Sequence, residues 1–271
     1  MKDILDEIIA YKRVEVERMK ELLPPQQLYR QVEQLLDTQS TASMRSALMK
    51  AEVGIIAEMK RRSPSKGWIK EEAKADEIPL SYQENGASAI SILTDEHYFG
   101  GNDNFIRMAK KSGVNVPVLY KNFVIDEYQL FQARECGASA VLLIAAALSV
   151  TDCRSLIRIS HELGMEVLLE MHAIEELDYA DLEPDVYGVN NRNLGTFITS
   201  IDNSLRLISR LPKNGCKVSE SGIEEASTAA LLLNAGFNGL LIGENFMTTP
   251  HPGQTLSELI DGVKNLKNIL S

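Results

Sequence analysis

The sequence is poor in the residues that mark disulfide-rich and metal-binding proteins. Only three of its 271 residues are cysteines, and no two of them form a CxxC pair. Cys136, Cys153 and Cys216 lie far apart, in or beside apolar segments, so we predict buried free thiols rather than disulfides or metal ligands. This pattern is typical of a protein that works in a reducing cytoplasm.

Long hydrophobic runs and an excess of positive charge are also missing. No stretch of about 18 apolar residues occurs, and the start MKDILDEIIAYKRVEVERMKELLPP lacks the apolar centre of a signal peptide. We therefore expect no membrane partner and no secretion. The formal net charge is −10, whereas binding to a nucleic-acid backbone needs a basic surface. The composition argues against a nucleic-acid partner, so any anionic ligand must be held by a local site.

What remains is the composition of an ordinary globular protein. Hydrophobic residues make up 44% of the chain and charged residues 24%, which is sufficient for a real core. A length of 271 residues fits one large α/β domain better than two average domains. We predict one domain over residues 1–271.

Two helices are predicted before the main body of the domain. Residues Ile4, Ile8, Tyr11 and Glu15 recur at helical spacing, and Pro24-Pro25 ends the pattern. A second helix is predicted over residues 26–36. We expect residues 1–50 to form an N-terminal helical extension that packs on the main body.

From residue 54 onward, short apolar runs rich in Ile, Val and Leu alternate with longer amphipathic stretches. Such runs are typical of strands buried on both faces, as in parallel sheets covered by helices. The eight runs are GIIAEMK (54–60), ASAISILT (87–94), VPVLYK (116–121), ASAVLLI (138–144), MEVLLEM (165–171), VYGVN (186–190), CKVSES (216–221) and NGLLIG (238–243).

Eight repeats favour an α/β fold in which residues 54–271 form a single (β/α)8 TIM barrel. A doubly wound open sheet is the alternative. That fold needs fewer strands and a glycine-rich dinucleotide turn after the first strand, and EMKRRSPSKG contains no GxGxxG.

Polar residues stand at the carboxyl ends of most predicted strands, where barrel enzymes carry their chemistry. They are Glu58, Lys60, Thr94, Asp95, Lys121, Glu170, Asn190, Arg192, Glu220, Ser221, Gly222, Gly243 and Glu244. Any single one of them can be a solvated strand end. Most of the charged ones, however, follow strongly apolar residues, where a charge is costly unless it is paired or used. We interpret them as groups that hold each other ionised and exchange protons with a substrate.

Lys121 follows VPVLY and has three possible roles. It can be a Schiff-base nucleophile, a general acid or a structural ion-pair partner, and the residues alone leave these open. The histidines show no metal-ligand spacing, including His172 two positions after Glu170, so we predict no metal site and assign the histidines to structure.

A phosphate site is predicted after the last two strands. SESGIEE and IGENFM each place small residues, Ser221-Gly222 and Gly243-Glu244, where we expect a helix to begin. Backbone N–H groups at such a point bind anions, and barrels frequently use this pair of loops for phosphate. Ser63 in RRSPSKG can complete the site. The alternative is that the glycines only ease the turns.

Taken together, the motifs resemble one known family. IAEMKRRSPSKG, SILTDEHYFGG, PVLYKNFVIDEYQ, GMEVLLEMH, GVNNRNLGTF, VSESGI and LIGENFM are similar, in this order, to the signatures of indole-3-glycerol phosphate synthase. The resemblance spans nearly the whole chain and includes IIAYKRVEV in the first helix.

The resemblance implies a lyase, of the carboxy-lyase type, that needs no cofactor. Its substrate would be 1-(2-carboxyphenylamino)-1-deoxyribulose 5-phosphate, a phosphorylated anilino-sugar. Ring closure onto the ketone, decarboxylation and dehydration would give indole-3-glycerol phosphate, carbon dioxide and water, a step of tryptophan biosynthesis.

The resemblance also implies roles for individual residues. Lys121 resembles the general acid that protonates the ketone oxygen, Glu170 its acid/base counterpart, and Lys60 a second lysine that holds the substrate. Glu58, Asn190 and Glu220 match positions that orient these groups. The implied substrate-binding residues are Arg192 for the anthranilate carboxylate, Ser63, Ser221, Gly222, Gly243 and Glu244 on the phosphate side, and Phe123 and Leu194.

One motif departs from the family pattern. The third strand usually ends in Arg-Lys-Asp-Phe, whereas this chain has Tyr120-Lys121-Asn122-Phe123, so a local charge pair is missing. If the aspartate tunes the lysine or tethers a loop, the acidity of Lys121 or the order of the loop differs here. Two rival functions remain: a phosphoribosylanthranilate isomerase-like barrel and a non-catalytic barrel that binds a phosphorylated ligand. We expect a monomer, with a weak homodimer as the alternative.

Overall fold

The computed structural model describes residues 4–193 and 195–270, and its centre is a closed barrel of eight parallel strands. Each strand pairs with the next one along the chain, and the last pairs with the first. The strands are β1 Ile55–Met59, β2 Ala89–Leu93, β3 Val118–Lys121, β4 Ala140–Ile144, β5 Glu166–Met171, β6 Val186–Asn190, β7 Cys216–Glu220 and β8 Gly239–Ile242. All eight lie within the predicted runs, which confirms the TIM-barrel fold.

Helices precede the barrel and alternate with its strands. They are α1 Ile4–Leu22, α2 Pro25–Leu36, α3 Met44–Lys50, α4 Ile78–Glu84, α5 Glu96–Phe99, α6 Asn104–Lys111, α7 Glu127–Glu135, α8 Val150–Glu162, α9 Asp202–Leu207, α10 Ala226–Asn234, α11 Glu244–Met247 and α12 Pro252–Leu270. Short 3-10 helices cover Ala145–Ala147, Ile174–Leu182 and Ile208–Arg210. The sequence patterns did not predict α3 or a small hairpin, Arg62–Ser63 with Gly67–Trp68, that follows β1.

Alternation along each strand separates two cores. In β1, Ile55 and Ala57 face outward to the helices, whereas Ile56 lies in a second cluster inside the barrel with Leu119 and Val218. Because side chains alternate with a period of two, the residue two positions after an inward apolar residue also points inward. This parity decides which strand-end residues reach the mouth of the barrel.

Helix α3 closes the amino-terminal end of the barrel. Met44 and Leu48 are buried in the inner cluster, and Leu48 is only 1% exposed. A Cβ atom at Gly239 would lie 2.7 Å from Leu48 Cδ2, so the glycine at the start of β8 makes room for this leucine. The inner core is therefore apolar at this end and polar at the other.

Helix α1 lies beside the opposite, carboxyl end of the barrel. Its buried stripe includes Ile8 as expected, but Tyr11 is partly exposed and stacks on His97 with ring centroids 4.2 Å apart. The stripe instead contains Lys12, whose Nζ lies 2.7 Å from the buried carboxylate of Asp95. This ion pair attaches the extension to the loop after β2, because Asp95 also caps α5.

The three cysteines are free and buried, as predicted. Burial raises the pKa of both Cys153 and Cys216 to about 12, so these thiols stay protonated and unreactive at neutral pH. Among the helices that the structure describes, none combines the length and the apolar character needed to cross a bilayer.

The α3 contact gives a stability prediction. Leu48→Ala should lower the free energy of unfolding by about 2–5 kcal/mol, because it leaves a cavity in the inner cluster. Met49→Ala, one residue later on the exposed side of the same helix, should change it by about 0.5 kcal/mol or less. Urea unfolding of both variants measures this, and equal losses in the two would contradict the role of α3 as a closure of the barrel.

Candidate active site

The charged residues predicted at the strand ends converge on the mouth of the barrel. Glu58, Lys121, Glu170, Asn190 and Glu220 stand at or near the carboxyl ends of β1, β3, β5, β6 and β7 and line one cavity. Each lies two positions after an inward residue of its strand, so parity turns all five inward. The structure therefore brings together the residues that the sequence assigned to catalysis.

Lys121 is at the centre of this cluster. Its Nζ lies 2.7 Å from Glu220 Oε2, 3.5 Å from Glu170 Oε2 and 3.9 Å from Glu58 Oε2. Burial opposes the charge of the amine, but these three carboxylates outweigh it and raise the pKa of Lys121 well above its usual range. The side chain is consequently an ammonium at neutral pH.

The carboxylates around Lys121 differ in protonation. Burial and the neighbouring charge of Glu170 raise the pKa of Glu220 to about 8, although Lys121 opposes this shift. Burial also works against the charge of Glu170, but Lys121 and the His172 ring outweigh it and hold the pKa of Glu170 well below its usual range. The pKa values of these two neighbouring acids thus shift in opposite directions, and the higher one belongs to Glu220.

Glu58 links the two lysines of the site. Its Oε1 lies 3.1 Å from Lys60 Nζ, and Lys121 is on its other side. Burial disfavours the carboxylate, yet both lysines together lower the pKa of Glu58. Glu58 is thus an ionised bridge between two ammonium groups.

Two glycines make room for these carboxylates. A Cβ atom at Gly243 would lie 2.6 Å from Glu58 Oε1, and one at Gly188 would lie 2.6 Å from Glu220 Oε1. Both distances are shorter than any real contact, so the acids occupy the space that a larger residue would need. Gly243 therefore does more than ease a turn.

The main cavity has an apolar wall on one side of the charged cluster. Phe123 belongs to this wall, as its substrate-binding assignment requires, and its ring centroid is 5.9 Å from that of Phe99. The other apolar side chains are Leu93, Leu142 and Ile144, with Ile4, Leu5 and Ile8 of α1. The N-terminal extension thus contributes directly to the cavity.

A second cavity shares Glu58, Lys60 and Arg192 with the first. It is lined by the two predicted phosphate loops, which meet there. Gly243-Glu244 opens α11, but Ser221-Gly222 does not open a helix, because α10 begins only at Ala226. Both residues have positive φ, 70° and 73°, which is incompatible with helix, so this part of the prediction was wrong.

The remaining substrate-binding candidates lie around these cavities. Ser63 is buried in the wall of the main cavity. Arg192 lies at the boundary of both cavities, with its guanidinium 3.5 Å from Glu244, and its backbone N–H donates to Asn190 Oδ1 at 3.0 Å. Leu194 lies outside the described residues.

The sequence suggests a backbone N–H group of Glu244 for the phosphate site, but the side chain of Glu244 also lies there. Its carboxylate faces Arg192 on one side and Lys66, at 3.5 Å, on the other. Lys66 belongs to the hairpin after β1, so this contact joins that hairpin to the start of α11.

Asn122, the departure from the family pattern, tethers the loop and does not contact Lys121. Its Nδ2 donates to Thr94 Oγ1 at 2.8 Å and to Tyr120 Oη at 3.3 Å, and its Oδ1 accepts from the backbone N–H of Phe123 at 2.9 Å. Tyr120 belongs to the outer core. In place of the charge pair, the Asn122 amide joins a hydrogen-bond network with Thr94 and Tyr120.

His172 was assigned to structure, but it lies beside the reactive cluster. Its Nε2 is 3.2 Å from Glu170 Oε1. The signal was present in the sequence, because His172 follows Glu170 by two positions and strand parity places both on one side. Within residues 4–193 and 195–270, no group of three or more His, Cys, Asp and Glu side chains is arranged to hold a metal ion.

Comparison with known proteins agrees with this geometry. The chain matches the family model described as indole-3-glycerol phosphate synthase over residues 5–259. It is 53% identical to the indole-3-glycerol phosphate synthase of Bacteroides thetaiotaomicron, with 97% of this chain and 100% of that protein covered. A protein of the same name from Carboxydothermus hydrogenoformans is 38% identical, with 94% and 99% covered.

A solved structure supports the fold alone. Tryptophan synthase subunit alpha from Legionella pneumophila superposes with a TM-score of 0.57 at 13% identity, covering 88% of this chain and 98% of that one. The sequence matches are far stronger and extend along nearly the whole chain. The chain therefore belongs to the indole-3-glycerol phosphate synthase family.

Proposed function

We propose that the chain is a carbon–carbon lyase that converts 1-(2-carboxyphenylamino)-1-deoxyribulose 5-phosphate into indole-3-glycerol phosphate, carbon dioxide and water. The observation that carries this proposal is the Lys121 ammonium, buried among three carboxylates at the mouth of the barrel. It stands between an apolar wall that suits an aromatic ring and a second cavity lined by the predicted phosphate loops. Family membership supports the same reaction. We also propose that it acts in the cytoplasm, where free thiols persist.

Lys121 acts as the general acid of ring closure. A Schiff base requires the neutral amine, and the three carboxylates favour the ammonium instead. The ammonium donates a proton to the ketone oxygen while the aromatic carbon that bears the carboxylate attacks the carbonyl carbon. Loss of carbon dioxide then restores the aromatic ring.

In the dehydration step, the lysines supply a proton and Glu170 accepts one. The carbon–oxygen bond breaks and the hydroxyl leaves as water with a proton from an ammonium group, while Glu170 accepts the proton that the neighbouring carbon loses. Its low pKa keeps Glu170 ionised and ready to accept. Lys60, held by Glu58 at the boundary of the two cavities, holds the substrate and its developing charge.

The two anionic groups of the substrate suit the two ends of the site. The phosphate enters the second cavity, which Gly222 and Gly243 line and where Ser221 offers a hydroxyl. Arg192 lines both cavities, and its planar guanidinium suits the anthranilate carboxylate. The aromatic ring packs against Phe123.

Replacing the proposed acid and base should remove most of the activity. Lys121→Ala and Glu170→Gln should each lower kcat/KM by about 10²–10⁴, the usual contribution of acid–base catalysis. Appearance of indoleglycerol fluorescence from the anilino-ribulose phosphate measures turnover. Lys74→Ala and Glu77→Gln are matched controls, because they change a surface lysine–glutamate pair of 2.7 Å and should leave turnover intact. No turnover by the parent protein, or full turnover by both site variants, would refute the proposal.

The protonation of Glu220 predicts an alkaline loss of activity. Because the pKa of Glu220 is about 8, the site gains a negative charge above that pH and binds the anionic substrate less well. We expect kcat/KM to fall above about pH 8 and this fall to vanish in Glu220→Gln, whose side chain cannot ionise. In the unfolded chain Glu220 has the pKa of an exposed glutamate, about 4.3, so between this pH and about pH 8 the folded state binds a proton that the unfolded state has lost. The free energy of unfolding should therefore also fall as the pH rises through this range, relative to the variant. An alkaline limb unchanged in the variant would contradict this prediction.

A further inference from the structure

We propose that His172 is a positioning residue that stands against Glu170 on the edge opposite Lys121 and fixes it as the proton acceptor of the site. The proposal rests on the proposed function and adds a group to it that touches no reacting atom. Glu170 and Glu220 are both buried and both face Lys121, and Glu170 also faces the His172 ring. Environments that separate two such acids assign their roles as base and acid.

The His172 ring lies between two carboxylates. Its Nε2 is 3.2 Å from Glu170 Oε1, and its Nδ1 is 3.9 Å from Glu176 Oε2. The side chain is 10% exposed, and both ring nitrogens are buried without a hydrogen-bond partner among the described residues, so His172 acts on Glu170 through its charge. Glu170 faces Lys121 with its other oxygen, Oε2, so a basic group stands at each edge of the carboxylate.

The backbone of His172 is tied down on both sides. Its N–H donates to Glu176 Oε2 at 2.6 Å. Its carbonyl oxygen accepts a hydrogen bond from Asn203 Nδ2 at 2.9 Å, and the same amide nitrogen lies 2.9 Å from the carbonyl oxygen of Asn190. The ring therefore stands on a support that joins the ends of β5 and β6, which is what a positioning residue needs.

The charges around the ring favour the imidazolium form. Burial disfavours it, but the carboxylates of Glu170, Glu176 and Glu220 outweigh burial and raise the pKa of His172. An imidazolium beside Glu170 favours its ionised form, whereas Glu220 has Lys121 as its charged partner and Glu170 as a repelling neighbour. His172 thus helps to keep Glu170 the more acidic group of the two. His172 itself exchanges no proton in this role.

Kinetics of His172→Gln tests the proposal, because glutamine keeps a polar side chain of similar length but removes the positive charge. We expect kcat to fall about 10- to 100-fold with little change in KM, as for other supporting partners of reactive groups. The acidic limb of the kcat profile should also move to higher pH, since Glu170 loses a cation that lowers its pKa. His161→Gln is the matched control: His161 pairs with Asp185 at 2.8 Å on the surface and should keep parent activity.

A second measurement needs no substrate. NMR titration of the His172 ring should give a pKa above the ~6.5 of an exposed histidine, and Glu170→Gln should lower it. A His172 titration unaffected by Glu170→Gln, or a His172→Gln variant with the parent kcat and acidic limb, would overturn the proposal. If the parent protein shows no turnover but the pKa of His172 still depends on Glu170, the proposed reaction is overturned. The coupling of His172 to Glu170 then remains in place.

Discussion

The structure depends on how an ammonium group is held among carboxylates inside a barrel that is otherwise apolar. Lys121 meets three acids from three other strands, so its charge is balanced by tertiary contacts and not by its neighbours along the chain. Removing one member would leave a buried charge without its partner, which costs more than the pair itself contributes. The barrel must therefore close in one register for the cluster to exist.

The small and apolar residues of the inner layers follow from this cluster. Gly188 and Gly243 lack side chains where Glu220 and Glu58 need space, so the acids can lie against the backbone of neighbouring strands. At the other end, Leu48 of α3 seals the barrel with apolar contacts and keeps water from reaching the charges from below. Separating the two ends lets one provide stability while the other carries reactive groups.

The sequence predicts the barrel well because its strands are buried on both faces and leave an unbroken apolar signal. It also predicts the main site, because parity and position at strand ends act locally. It does not predict α3, because the few apolar residues of this helix become core residues only when the barrel closes around them. Nor does it predict the loop at Ser221-Gly222, where two positive φ angles delay the helix. His172 lies beyond the last residue of β5, so its contact with Glu170 depends on how the chain continues after the strand and not on the apolar pattern of the strand.

The departure at Asn122 shows why strand parity matters more than chain proximity for the chemistry of this site. Asn122 is adjacent to Lys121, yet it bonds to Thr94 and Tyr120 behind the strand. An aspartate there would add a buried charge and lose the amide donor to Thr94 and Tyr120, at a cost that the asparagine avoids. The protonation of Lys121 is set across the barrel by Glu220 and its companions. The lysine can therefore keep its acidity while the residue beside it changes, provided that the carboxylates on the facing strands remain.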